Sequence, residues 1–300
     1  MQFDRLEKLR IMATLYEEVR AALKHSEFRP RKRWGQNFLI DHNIIESILR
    51  LVELSPEDQV VEIGPGLGFL TRRLVETASK VWAVEVDAFL VDWLKRSVLG
   101  GHPRLHLIHD DILKVQLDEI WPARKVKLVA NLPYSISTPV LFRLFDWRDH
   151  FSSLVLMMQK EVADRIASGP GTKAYGTLSV WSQIHGSIVE KVPVSPTAFY
   201  PRPGVRSTIL KIELYAEPLI AVSELPVLRG LVRSAFGQRR KTLGNALSTW
   251  LKQGRNEIES FLRAEGIDPR RRGETLRVDE FVRLAHALGS RPLAGTETSH

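Results

Sequence analysis

The stretch from Val60 to Asn131 sets the tightest limit on what this chain can fold into. It holds four short apolar runs, each broken off by residues of a different character. Val60-Val61-Glu62-Ile63 runs into Gly64-Pro65-Gly66-Leu67-Gly68-Phe69-Leu70, and Lys80-Val81-Trp82-Ala83-Val84 ends in Glu85. His106-Leu107-Ile108-His109 ends in Asp110-Asp111, and Val126-Lys127-Leu128-Val129-Ala130 ends in Asn131-Leu132-Pro133-Tyr134. A β-branched run, a glycine turn and a helix-like segment begin a doubly wound α/β domain. Four candidate parallel strands therefore deliver their special residues at carboxyl ends, where open α/β sheets bind ligands.

The glycine loop alone reads two ways. It is a turn that lets a helix pack on a strand, or it is a nucleotide loop. A dinucleotide loop wants glycine where this chain has Phe69. The order Gly64-x-Gly66-x-Gly68 suits a nucleoside without a pyrophosphate, S-adenosylmethionine, whose amino-acid end would meet exposed backbone N–H groups at the positive end of a helix. Glu85, about 20 residues beyond the first glycine, is spaced for a ribose. Ionised, it accepts from paired hydroxyls, and Asp111 accepts from the adenine amine.

Asn131-Leu132-Pro133-Tyr134 points to the chemistry. The exocyclic amine of a purine is a poor nucleophile because its lone pair is delocalised into the ring. A side-chain carbonyl and a backbone carbonyl that accept its two N–H bonds would draw it toward a tetrahedral geometry and restore the lone pair. Pro133 fixes the turn, and Tyr134 stacks on a flipped base. Asn-x-Pro is also ordinary turn chemistry, but here it stands in register with Glu62–Gly68, Glu85 and Asp111.

The 300 residues, 44% of them hydrophobic, suffice for one large domain and a smaller one. Cysteine is absent, which removes disulfides, thiolate metal sites and a cysteine nucleophile and fits a reducing cytoplasm. The nine histidines are scattered without metal-ligand spacing, so no metal is expected. A net charge of +8 points to a polyanionic partner. No apolar run reaches membrane-span length.

Residues 1–30 read as a helical extension, with Phe3, Leu6, Met12, Leu15, Val19 and Ala22 along one stripe and neither a secretory nor a transit character. The basic run Arg31-Lys32-Arg33, just before Trp34, is a candidate phosphate contact. Asp41-His42-Asn43 caps a helix through Leu51. After the Asn131 turn come a helix from Thr138 to Phe145, a strand over Leu154–Gln159 and a helix over Lys160–Ala167. A flexible loop at Ser168–Lys173, a helix over Tyr175–His185 and a strand pair at Ser187–Val192 and Ser207–Leu214 follow. Phe199 sits between those two strands in a stiff proline-rich loop. From about Tyr215 the pattern turns all-helical. Thirteen Lys and Arg against seven Asp and Glu lie between Arg229 and Arg283, with dense spots at Arg239-Arg240-Lys241 and Arg270-Arg271-Arg272. The expected domains are 31–215 for the nucleotide site and 216–300 for RNA.

On these residues the chain resembles the KsgA-type small-subunit rRNA adenine dimethyltransferases over about Lys32 to Leu288. The resemblance rests on Gly35-Gln36-Asn37-Phe38-Leu39, Glu62-Ile63-Gly64-Pro65-Gly66, Asn131-Leu132-Pro133-Tyr134, Gln159-Lys160-Glu161-Val162-Ala163, Phe199-x-Pro201-x-Pro203-x-Val205 and Gln238-Arg239-Arg240-Lys241-Thr242. It implies a Rossmann-like methyltransferase domain with a seven-stranded, mostly parallel sheet and a small helical domain behind it. It implies that Asn37, Leu39, Gly64, Glu85, Asp111 and Asn131 line the S-adenosylmethionine site; Gly66 belongs to the same loop. It implies that Asn131, Leu132 and Tyr134 hold the target adenine with Phe199 on its other face. The implied substrate is a pair of adjacent adenines near the 3′ end of 16S rRNA, each dimethylated within a small-subunit precursor by a cytoplasmic monomer. Trp34 and Gly204 depart from the family pattern, Gly204 where a basic residue is common. The alternatives are a large-subunit rRNA methyltransferase of the antibiotic-resistance type, which the arginine-rich tail disfavours, and a non-catalytic rRNA-binding assembly factor, which intact Asn131 and Tyr134 disfavour. A nicotinamide oxidoreductase is disfavoured by Phe69 and the basic surface.

Overall fold

The apolar runs become strands covered on both sides. The computed structural model describes residues 15–23, 36–97, 99–116, 125–238 and 240–290. In chain order its elements begin with helix α1 (15–23), β1 (Phe38–Leu39), α2 (His42–Val52), β2 (Gln59–Ile63), α3 (Phe69–Thr77), β3 (Lys80–Glu85) and α4 (Ala88–Arg96). β4 (Leu105–His109), β5 (Val126–Asn131), α5 (Ser137–Asp146), β6 (Phe151–Gln159), α6 (Lys160–Ile166), α7 (Thr177–His185), β7 (Gly186–Val194), β8 (Phe199–Tyr200) and β9 (Ser207–Leu214) follow. The helices α8 (Leu225–Gly237), α9 (Leu243–Leu251), α10 (Arg255–Ala264) and α11 (Val278–Gly289) complete the series.

Seven strands pair in the order β4-β3-β2-β5-β6-β9-β7. The pairs β4–β3, β3–β2, β2–β5 and β5–β6 are parallel, whereas β9 runs antiparallel to β6. Val60, Val61, Val81, Ala83, Leu128, Val129, Leu154 and Leu156 are all buried. Consecutive buried residues on one strand require cover on both faces, which is why these runs are continuous rather than alternating. The sheet grows outward from β2 through β3 to β4, then returns to the other side of β2 with β5 and β6. The reversal between β2 and β5 opens a crevice at the strands' carboxyl ends.

A second, two-stranded ribbon pairs β1 with β8, placing Phe38 opposite Tyr200 and Leu39 opposite Phe199. The Phe199 segment, expected as a loop, is thus a strand. Ile40 N donates to Ala198 O at 2.8 Å and extends the pairing. Of the expected N-terminal helix, residues 15–23 are helical and the remainder lies outside the described residues, as do Arg31, Lys32, Arg33 and Trp34. Val19 and Ala22 enter the same apolar core as Phe38, Leu39 and Phe199. Tyr16 meets Tyr200 edge-on at 5.3 Å, and Glu18 pairs with Arg72 at 2.8 Å. Asp41 caps α2 as expected, accepting from Asn43 N at 2.9 Å.

The chain divides into two compact units. One runs to Ala163 and includes Ile188–Leu214; the other takes Asp164–Ser187 together with everything from Tyr215 onward. The division is not linear, unlike the 31–215 and 216–300 split expected, because residues 164–187 are anchored among the helices. Tyr175 is fully buried there, donates to Leu276 O at 2.9 Å and meets Phe236 edge-on at 5.6 Å. It precedes α7 rather than starting it. The glycine-rich segment expected as flexible is tied down as well: Gly171 N donates to Glu274 O at 2.8 Å and Thr172 Oγ1 to Gly169 O at 2.8 Å.

Candidate functional site

One cleft in the first unit gathers the residues singled out from the sequence. Its lining includes Asn37 just before β1 and Leu39 within it, Gly64 and Gly66 after β2, Glu85 at the end of β3, and Asp111 after β4. Asn131, Leu132, Pro133 and Tyr134 enter from the end of β5, and Phe199 from β8.

The glycine loop is built around Glu85. Its carboxylate, 5% exposed, accepts from Val86 N and Asp87 N at 3.0 Å each and from Gly66 N at 3.2 Å. Burial pushes its pKa up, and the backbone N–H groups oppose that rise. Gly64 N donates to Val84 O and Gly68 N to Pro65 O, both at 2.9 Å. The amides of all three glycines are therefore engaged within the protein. These three amides are thus not among the exposed N–H groups expected to meet a cofactor, and the loop's backbone is held open at φ +71°, +59° and +85° for Gly64, Gly66 and Gly68. At Gly66 a Cβ would also crowd the Phe38 ring at 3.3 Å.

Glu62, just ahead of the loop, is 2% exposed and takes a 2.6 Å bond from Thr71 Oγ1 on α3. Burial, aided by the nearby Glu85 charge, raises its pKa to about 7. Asp111 Oδ1 accepts from Leu113 N at 2.9 Å, so its second oxygen is the one left for a partner.

The Asn131 turn has its acceptors sorted by its own hydrogen bonds. Asn131 Nδ2 donates to Asn37 O at 3.3 Å, which leaves Oδ1 as the acceptor. Pro133 O receives Ile136 N at 3.1 Å and Ser137 Oγ at 3.0 Å. Leu132 N is bound to Met157 O at 2.9 Å. Tyr134 Oη lies 2.7 Å from Ser207 Oγ on β9. Sequence reasoning missed three residues that brace this arrangement. Asp87 caps α4 and accepts from Gln36 Nε2 at 2.8 Å, just before Asn37; an Asp ahead of an apolar helix was the available signal. Thr71 and Ser207, a threonine within a helix and a serine opening a strand, carry no comparable signal.

This cleft sits in a chain whose residues 27–289 match the family model described as ribosomal RNA adenine dimethylase. The chain belongs to that family. Among its relatives is a protein from Geobacter metallireducens named ribosomal RNA small subunit methyltransferase A, 44% identical over 264 residues, with 87% of this chain and 96% of the relative covered. A protein of the same name from Alkaliphilus oremlandii is 40% identical over 280 residues, covering 92% and 97%. Among solved structures, a dimethyladenosine transferase from Plasmodium falciparum superposes with a TM-score of 0.73 at 25% identity, covering 84% of this chain and 97% of that one. The 23S rRNA methyltransferase ErmE gives 0.64 at 27% identity, covering 85% and 100%.

The adenine dimethylase fold also sorts the basic residues of the second unit. Arg255 and Arg263 share Glu259, Arg270 holds Asp268, and Arg277 holds Asp279. Arg271 grips the nearly buried Glu280 with bonds of 2.6 and 3.0 Å, and this pairing holds the Glu280 carboxyl below its ordinary range. The Arg270–Arg272 spot is therefore partly structural. Arg240 and Lys241, between α8 and α9, are exposed; Arg239 lies outside the described residues. Gly204 is exposed with open space around its Cα, flanked by the exposed Arg202 and Arg206, so the family departure there leaves no packing defect. Among the described residues no helix is long and apolar enough to cross a membrane, and no cluster of three or more metal-ligating side chains occurs.

Proposed function

We propose that this adenine dimethylase uses S-adenosylmethionine to dimethylate the exocyclic amines of two adjacent adenines near the 3′ end of 16S rRNA. The observation that carries this reading is the Asn131 amide, whose Nδ2 is held by Asn37 O so that Oδ1 is the acceptor. Supporting it are the cleft's donor set and the small-subunit names of relatives at 40–44% identity.

The cleft suits the cofactor. Glu85, at the floor, keeps oxygen lone pairs beyond the backbone N–H groups it binds, as paired ribose hydroxyls require. Asp111 offers its second oxygen to an adenine amine, and Leu39 and Gly64 complete the wall beside Asn131. When bound, S-adenosylmethionine supplies an electrophilic methyl group on a sulfonium. Asn131 Oδ1 and the Leu132 carbonyl take the two N–H bonds of the target amine and localise its lone pair. Tyr134 and Phe199 hold the base between aromatic faces, and Pro133 keeps the turn rigid. The nitrogen carries a positive charge once it has taken the methyl group, and it releases its proton to solvent. Most of the rate comes from alignment, since oriented reactants reach effective molarities on the order of 10⁵ M or more. Phosphate contacts by Arg240 and Lys241, with Arg31, Lys32, Arg33 and Arg239, hold the rRNA of a small-subunit precursor in the cytoplasm.

Incubating the enzyme and cofactor with unmethylated small subunits, then mapping modified adenines, tests the proposal. Two dimethylated neighbours near the 3′ end are expected, and Asn131→Ala should transfer methyl groups at least about 10²-fold more slowly. Modification of large-subunit rRNA instead would overturn the substrate, and near wild-type turnover by Asn131→Ala would overturn the mechanism.

A further inference from the structure

We infer that Ser207 is a positioning residue for methyl transfer, holding the far end of the Tyr134 ring in place through the 2.7 Å contact between their hydroxyls. The inference builds on the proposed stacking of the target adenine on Tyr134. Tyr134 stands on the turn after β5, half-buried at the cleft wall, where its ring has two side-chain torsions to settle. A ring that swings about the first of these torsions stands at a different place against the base at each setting. Backbone anchors below it, Leu132 N to Met157 O and Pro133 O to Ile136 N, fix the turn but not the ring.

Ser207 supplies what the turn lacks. It is 1% exposed, on a strand that lies inside the sheet between β6 and β7. Its backbone is in register with Gln159 of β6, and Lys160 N donates to the carbonyl of the preceding Arg206 at 3.0 Å. The serine hydroxyl is thus a fixed point, reached by the far end of the tyrosine. One end of the ring is held by the β5 turn and the other by β9, which fixes where the ring stands in the cleft wall. A phenylalanine here would keep the stacking area and lose the tether. Aligned reactants are sensitive to small displacements, so a loosened ring lowers the fraction of bound bases in reacting geometry and acts on kcat more than on cofactor affinity.

The test is a double-mutant cycle on methyl transfer to small subunits, using Ser207→Ala, Tyr134→Phe and both together. Each single variant should lose about tenfold in kcat, as expected for one neutral hydrogen bond. S-adenosylmethionine affinity by calorimetry should be unchanged, and the double variant should be no slower than either single one. Tyr134→Phe alters no strand residue, so it reports on the tether even if Ser207→Ala perturbs folding. Losses that multiply in the double variant overturn the inference, as does wild-type kcat in both single variants. A Tyr134→Ala control separates the two levels of argument. If it retains full turnover, the stacking role itself fails; if it is impaired while Tyr134→Phe and Ser207→Ala are not, only the tether fails.

Discussion

Replacing Glu85 by glutamine changes one atom and separates the two jobs this residue performs. The carboxylate presents two oxygens. Oε1 accepts from Val86 N and Asp87 N at 3.0 Å each, and Oε2 accepts from Gly66 N at 3.2 Å. A carboxamide has one acceptor oxygen, so the favoured orientation keeps the two 3.0 Å bonds and turns its NH₂ toward Gly66 N, donor against donor. The longest of the three bonds is lost. In return, the neutral amide escapes the burial that raises the wild-type pKa. These effects oppose one another, so folding stability should change by no more than about 1 kcal/mol. Ligand binding has no such offset. Losing a charged acceptor for hydroxyls costs about 1.5–3 kcal/mol, roughly 10- to 150-fold in Kd. Isothermal titration with S-adenosylmethionine, beside a thermal melt of each apoprotein, measures both quantities. Affinity within twofold of wild type would refute the assignment of Glu85 to the cofactor. A variant that melts far lower with unchanged affinity would assign it to the glycine loop alone.

Glu62→Gln should respond to pH. The folded-state pKa of about 7 lies above the ordinary 4.5, so the protonated carboxyl's contribution is fully present below about pH 4.5 and is lost as pH rises through 7. Glutamine can still accept from Thr71 and does not titrate. The variant should therefore gain stability relative to wild type from about pH 4.5 to pH 7 and hold that gain above it, by up to about 1.4 kcal/mol per unit of pH within the window; parallel stability curves would refute the shift. In the helical unit, Arg240→Ala/Lys241→Ala should weaken binding to small subunits and flatten its salt dependence, with melting unchanged. The slope should fall by roughly 0.7–0.9 for each phosphate that is no longer neutralised. Arg271→Ala should do the reverse, lowering stability by about 1.5–3 kcal/mol through the loss of its Glu280 bonds, with the salt slope kept. An identical slope for wild type and the Arg240/Lys241 variant would make those residues a solvated surface only.

The strands and their terminal residues were legible because burial on both sheet faces writes itself as continuous apolar runs, and because a ligand crevice concentrates Gly64, Glu85, Asp111 and Asn131 at strand ends. The β1–β8 ribbon was not legible: two residues per strand leave no period to detect, and the prolines around Phe199 argue locally for a loop. The placement of residues 164–187 depends on Tyr175 reaching Leu276, a hydrogen bond across 101 positions that no local pattern encodes. Charge counting could not distinguish Arg271, committed to Glu280, from the exposed Arg240. Nor could the glycine spacing reveal that Gly66 N already belongs to Glu85.

The two-strand ribbon has a thermodynamic consequence. Its β1 side carries Asn37 and Leu39 at the wall assigned to the cofactor, and its β8 side carries Phe199 at the wall assigned to the base. A ligand that steadies either strand steadies its partner and so lowers the ordering cost met by the other ligand. Cofactor and rRNA should bind with positive cooperativity, and linkage requires each to strengthen the other by the same factor. Affinities for one measured with and without the other would expose that factor, and a value of one would mean that the ribbon is already rigid when empty. Dimethylation needs a fresh cofactor for each methyl group, so such reciprocity would loosen the enzyme's hold on its RNA each time a spent cofactor leaves.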